Sequence, residues 1–197
     1  MLRLRRRPRG GPSRIERSES AHAAWKSIQA DLKGTLGEAT VRATLDRSSL
    51  PCLHDVRLPR AMGEGTTQID HLVLLPEAIM VIETKHYAGR LSGHPKDEYW
   101  RQRLGSETEG RLIYSPIRQN AGHCAVVRAV TSQACLDVQI LSRIVLTGRA
   151  TVSAELQPYV KDCDALGAEL VLSRGGIPEI MLDVWQRILR VAGHTAG

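Results

Sequence analysis

The sequence predicts an α/β domain: a mixed β-sheet flanked by helices. Three observations carry this. Two apolar, partly β-branched runs, 68–75 and 79–85, flank a Pro76-Glu77-Ala78 turn and read as a β-hairpin. A helical segment precedes that hairpin and another follows it. A short apolar run at 138–146, suited to a buried strand, comes after the second helix. Helix, strands, helix, strand is the order of an α/β fold.

The elements follow in chain order. From Ser20 to about Leu45, Trp25, Ile28, Leu32, Leu36, Val41 and Leu45 fall at helical spacing. Gly34 and Gly37 divide this stretch into two helical pieces with a turn at Lys33-Gly34-Thr35. Glu38 then sits early in the second piece, where a carboxylate is favoured by the helix dipole. Residues 52–58 read as a strand, and 59–67 as a polar loop before the hairpin. Residues 87–109 are polar and Gly-rich, with Tyr99-Trp100 as a short strand. A helix over 116–135 starts with Pro116 at its first position, buries Val126, Val127 and Val130, and carries Gln119 one turn in. Residues 169–173 read as a short strand. Residues 177–191 read as an amphipathic helix with Ile180, Leu182, Val184, Trp185, Ile188 and Leu189 mainly inward.

Composition limits the function classes. With 42% apolar and 24% charged residues in 197, the chain suits one domain with appendages. It has no Phe, so the core rests on aliphatic residues. No apolar run approaches the ~20 residues that span a bilayer, and no apolar segment follows the basic N-terminus as in a secretory signal. The four cysteines, 52, 124, 135 and 163, form no C-x2-C pair and read as isolated thiols in a reducing cytoplasm. The formal charge is +6, and residues 1–17 supply all of it: seven arginines against Glu16 leave 20 basic and 20 acidic residues in 18–197. Residues 1–19 are therefore set apart as a disordered tail, and 20–197 as the folded domain. Arg3, Arg5, Arg6, Arg7 and Arg9 of that tail can neutralise phosphates in a sequence-independent way. A solubilising leader is the competing reading.

The hairpin carries the chemistry. With a two-residue loop, Leu75 pairs with Ala78, and Asp70 then stands opposite Glu83. Lys85 shares the face of Glu83, with Gln68 opposite it. Like charges paired on a sheet are destabilising, and a bound divalent cation relieves that. The spacing Asp-x12-Glu-x-Lys thus reads either as a metal site with an adjacent lysine or as a structural ion triad. His71 points to the other face and suits a core hydrogen bond better than ligation. His86 can approach a phosphate. His54, His94 and His123 lack ligand spacing. No H-E-x-x-H, Walker or G-x-G-x-x-G motif is present.

Four segments in order, Gly34-Thr35-Leu36-Gly37-Glu38, Thr67-Gln68-Ile69-Asp70-His71, Ile82-Glu83-Thr84-Lys85 with Gly89, and Pro116-Ile117-Arg118-Gln119, resemble the motifs of the nuclease-related domain (NERD) family, placed in the PD-(D/E)xK nuclease superfamily. The resemblance covers about residues 30–150, with 151–195 as a C-terminal extension. Two positions depart from the pattern: Ser115 stands where Asn often precedes the Pro, and Ala78 where a turn Gly is common. The resemblance implies a restriction-endonuclease-like core and a Mg²⁺-dependent nuclease acting on DNA, with Mn²⁺ as a possible substitute and RNA as an open alternative substrate. By similarity, Asp70 and Glu83 are metal ligands, helped by Glu38 and the Thr84 carbonyl. Lys85 is the signature lysine, in an electrostatic and positioning role, and Gln119 the later-helix amide. Gln68 and His86 join the tail arginines as nucleic-acid contacts. The alternative is a non-catalytic nucleic-acid-binding module on the same fold.

Overall fold

The structure is a computed structural model that describes residues 14–132, 138–173 and 175–195. A five-stranded sheet forms the centre. It contains β1 (Cys52–Pro59), β2 (Thr66–Leu74), β3 (Ala78–Lys85), β7 (Gln139–Leu146) and β9 (Val160–Lys161), in that spatial order. The β1-β2-β3 half is antiparallel, and β3, β7 and β9 run parallel. A four-stranded sheet lies beside it, in the order β6 (Arg111–Tyr114), β5 (Tyr99–Arg103), β4 (Gly89–Ser92), β8 (Ala150–Val152). Four helices complete the fold: α1 (Arg14–Asp46), α2 (Pro116–Ser132), α3 (Cys163–Leu172) and α4 (Glu179–Thr195). The expected α/β class, a mixed sheet flanked by helices, is what the chain forms, and it is consistent with a restriction-endonuclease-like core. Among the described residues no helix is long and apolar enough to cross a membrane.

Both faces of the central sheet are covered, which explains why β3 is buried along nearly its whole length. On one face Ile79 and Val81 pack with Val127 of α2 and Val184, Trp185 and Ile188 of α4. On the other, Met80 and Ile82 pack with Val41 and Leu45 of α1 and Leu166 and Leu170 of α3. A third cluster, around Leu91, Ile144 and Leu146, joins the second sheet to the first.

The hairpin has the expected register, with Leu74 opposite Ile79 and His71 opposite Ile82. Its ladder ends there. Gln68 therefore does not face Lys85; it pairs with Arg57 on β1. The β1–β2 ladder also skips a step. His54 pairs with His71 and Val56 with Ile69, but Asp55 and Asp70 between them do not pair, and Asp55 has a φ of +52°. The apolar alternation shifts by one residue on both strands at this step: Leu53 contacts the same cluster as Val56, and Leu72 lies in the same cluster as Ile69. The register is the same on both sides of this step, so one residue on each strand is left unpaired without an insertion.

Other expectations are corrected. Residues 14–46 are one helix, not two pieces, and 14–19 belong to it. Gly37 is a contact point and not a breaker: a Cβ there would stand 2.6 Å from Thr147 Oγ1, so only glycine lets α1 approach so closely. Without a break the apolar stripe of α1 turns away from the core, and Trp25, Ile28, Leu32 and Leu36 are exposed. Residues 169–173 are not a strand. Asp162 caps α3 by accepting from the Ala165 amide, and Leu166 and Leu170 make its buried stripe at i, i+4. In α4, Met181 is inward, whereas Ile180 and Leu182 are exposed. Of the second sheet, the sequence pattern marks only Tyr99-Trp100 on β5. The tail arginines 3, 5, 6, 7 and 9 lie outside the described residues.

Candidate active site

A cavity of about 1520 Å³ opens where the end of the hairpin, α1, α2 and the second sheet meet. Glu38, Gln68, Asp70, Glu83, Thr84, Lys85, His86 and Gln119 all line it. The structure thus gathers every described site residue of the sequence reading into one place. Gly37 brings Glu38 there, by its close approach to Thr147 and His86. Asn120 brings Gln119: its side-chain amide donates to Val81 O at 3.0 Å and Arg143 O at 3.2 Å, which pins α2 over the β3–β7 seam.

The hairpin end is organised by charge. Asp70 Oδ2 accepts from the Thr84 amide at 2.7 Å, so a carboxylate takes the place of a strand carbonyl where the ladder has stopped. Glu83 is 1% exposed. Its Oε1 lies 2.5 Å from Lys85 Nζ, and its Oε2 lies 3.2 Å from His123 Nδ1 on α2. The second contact is not aligned for a hydrogen bond, and both of its atoms are buried without a hydrogen-bond partner.

The acids disturb one another. Burial, then Glu83, pushes the Asp70 carboxyl up to about 6, even though the Thr84 amide pulls it down. Burial also raises Glu38, with Asp55 and Glu83 adding to it and Lys85 opposing. For Lys85, burial pulls the ammonium down, but Glu83 outweighs it and the net shift is upward. Lys85 is therefore a firmly held cation and not a proton acceptor at neutral pH.

Negative charge at this site exceeds what Lys85 can compensate, and the donors are oxygens of the kind that hard cations take. Among the described residues no group of three or more His, Cys, Asp or Glu stands as a ready metal-binding cluster. Mg²⁺ commonly takes only one or two protein carboxylates and fills its remaining positions with water and substrate phosphate. Asp70 and Glu83 suit that mode.

Two participants escaped the sequence reading. His123 touches Glu83, and its signal was its position one turn beyond Gln119 on the same helix face. In the sequence Asp55 reads only as part of a strand, and no pattern marks its left-handed backbone. His71 lies on the α1 side, as expected for a core residue. Its Nδ1 is 2.8 Å from His54 Nδ1, and His54 Nε2 is 3.4 Å from Asp46.

A family model described as nuclease-related domain matches residues 33–147, more than half of the chain. An uncharacterized protein of Bacillus anthracis is 34% identical over 104 residues, which cover 51% of this chain and 48% of the relative. The chain therefore spans about half the length of that relative. No solved structure matches.

Proposed function

Because this chain belongs to the nuclease-related domain family, we propose that it is a Mg²⁺-dependent nuclease that hydrolyses phosphodiester bonds of DNA. One observation carries the reading. Asp70, Glu83 and Lys85 share a cavity with Glu38 and Gln119, and there burial, then the Glu83 carboxylate, raises the Asp70 carboxyl to about 6.

Asp70 and Glu83 would hold the cation, which when bound polarises the scissile phosphate and acidifies water. The Thr84 amide fixes Asp70, and Lys85 and His123 flank Glu83, so both carboxylates are oriented in advance. Lys85 presents its ammonium to the charge that builds on the phosphate oxygens. Glu38, its carboxyl raised by burial and by Asp55, is better placed than an exposed acid to take a proton from attacking water. Gln119, oriented by the anchored α2, hydrogen-bonds that water or the strand.

A second reading is favoured by a specific observation: both oxygens of Glu83 already lie against side-chain nitrogens of the protein, Lys85 Nζ and His123 Nδ1. On that reading the chain is a nucleic-acid-binding module without turnover. The deciding experiment compares wild type and Asp70→Asn on labelled single- and double-stranded DNA with Mg²⁺, Mn²⁺ or EDTA. A nuclease cleaves with either metal, stops in EDTA, and loses on the order of 10² or more in rate in the variant. Equal cleavage by the variant removes the site, and binding without cleavage in any metal supports the module.

A further inference from the structure

The second sheet adds a cation to the cavity. Arg111 on β6 stands directly opposite Gln102 on β5, and both residues line the cavity that holds Glu83 and Lys85. Gln102 is 3% exposed. Its amide is used at both ends: Nε2 donates to Ala88 O at 2.8 Å, and Oε1 accepts from Arg111 Nε at 2.7 Å. The side chain of Arg111 is therefore held by a fixed, neutral partner at its inner nitrogen. Both terminal nitrogens remain, and they form the planar fork that matches a phosphate.

Arg57 also meets a glutamine of the cavity, Gln68, but through a terminal nitrogen, Nη2, at 3.5 Å, and not through Nε. Three further arginines are used differently. Arg143 is neutralised by Glu169: its Nε lies 2.9 Å from Oε1 and 3.0 Å from Oε2, and its Nη2 lies 2.5 Å from Oε1. Arg101 donates to Glu109 O, and Arg118 to Lys96 O. Among the described residues no carboxylate lies within ion-pair distance of Arg111. Its charge is thus neither cancelled nor free to wander. Gly110, at φ +67°, fixes the approach: a Cβ there would stand 2.3 Å from Gln102 O, so the chain just before Arg111 is pressed onto β5. Tyr87 connects this corner to the hairpin. Burial raises its phenol, while Lys85 and Arg111 both act to lower it, so both cations lie within electrostatic reach of one lining side chain.

We propose that Arg111, positioned by Gln102, is the anion clamp of this cavity and holds a backbone phosphate next to the scissile one. This rests on the nuclease reading for the identity of the strand. The second sheet then has a task beyond support: it carries the cation that registers the substrate over Asp70, Glu83 and Lys85.

The test is fluorescence anisotropy of a phosphorothioate-protected single-stranded oligonucleotide in EDTA, titrated between about 50 and 200 mM salt. Wild type is compared with Arg111→Gln, Arg111→Lys, Gln102→Met and, as a control on an exposed arginine outside the cavity, Arg60→Gln. Loss of one phosphate contact makes the plot of log affinity against log salt shallower by about 0.7 in Arg111→Gln. Arg60→Gln keeps the wild-type slope. Arg111→Lys and Gln102→Met keep the slope but bind several-fold more weakly, because the charge remains and its orientation does not. An unchanged slope in Arg111→Gln, an equal change in Arg60→Gln, or no binding by wild type overturns the clamp. The unmodified oligonucleotide with Mg²⁺ tests the other reading. Wild type that cleaves while Arg111→Gln keeps its slope leaves the nuclease without the clamp. Wild type that binds with the expected slope change but never cleaves leaves the clamp without the nuclease.

Discussion

The Thr84 amide donates to Asp70 Oδ2 at 2.7 Å, one step beyond the last paired residues of the β2–β3 ladder. A side chain thus finishes what the backbones began. On the proposed function the same carboxylate would also hold the cation, so one residue would serve the fold and the site. Two substitutions separate these duties. Asp70→Asn keeps an acceptor for Thr84 and removes the charge, and Asp70→Ala removes both. In EDTA, Asp70→Ala should be less stable than Asp70→Asn by about 1–2 kcal/mol, the cost of leaving a part-buried amide without its partner. Urea unfolding measures the difference, while calorimetry should show that both variants have lost Mg²⁺ binding. Equal stability of the two would mean that the contact does not hold the strand end.

The pH dependence of stability contains two opposed contributions. Burial and Glu83 hold Asp70 at about 6, above its ordinary 3.8. Between those values the unfolded chain has released a proton that the folded protein keeps. Asp70 therefore favours the folded state in acid, and this is lost as pH rises through about 6. His71 works the other way. Burial, then His54, lowers it from 6.5 to about 3. As pH falls below 6.5 the unfolded chain takes up a proton that the folded protein refuses, and stability declines. In EDTA, Asp70→Asn should thus lose more stability than wild type between about pH 7 and 4, because the compensating contribution is gone. Parallel urea midpoints for the two proteins across that range would contradict the assignment.

What was legible in the sequence had a short-range cause. The Pro76-Glu77 turn set the hairpin register, and the spacing of Asp70, Glu83 and Lys85 then placed them together. The missed parts depend on distant partners. β4 and β6 have four residues each and no marked alternation, and they are strands because β5 and β8 pair with them. Leu166 and Leu170 make a helical stripe that the apolar cluster 169–172 obscured. Gly34 and Gly37 carry the same local signal, yet one is open and the other is a contact. That difference exists only once β3 and Thr147 lie beside α1.

Those two glycines make a paired prediction. Nothing lies within 4 Å of a Cβ at position 34, so Gly34→Ala should stabilise the helix by up to about 1 kcal/mol. At position 37 the new methyl meets Thr147 Oγ1 at 2.6 Å and His86 Cβ at 3.3 Å. Gly37→Ala should therefore destabilise by about 1–3 kcal/mol as α1 is pushed off the strand end. It should also lower Mg²⁺-dependent cleavage, because Glu38 is the next residue. Thermal melts and cleavage rates of the two variants check this, and a Gly37→Ala protein as stable and active as Gly34→Ala would show that close contact of α1 is not required.

Lys85 separates charge stabilisation from metal binding. Its ammonium lies 2.5 Å from Glu83 Oε1 and is 23% exposed, whereas Glu83 is 1% exposed. Lys85→Met removes the neighbouring ammonium from a buried carboxylate. In EDTA this should cost about 3 kcal/mol, the scale of breaking a buried pair on one side. Mg²⁺ should recover much of the loss, since a ligand that binds only the folded state stabilises it by mass action. With one competing cation gone, Mg²⁺ should bind several-fold more tightly to the variant than to wild type. Cleavage should nevertheless fall by 10² or more, on the order expected when a charge stabiliser is removed from a phosphoryl-transfer site. Tighter metal binding with lost cleavage is a pattern that general unfolding cannot produce. If the variant loses both together, Lys85 is holding Glu83 in place and not acting on the substrate.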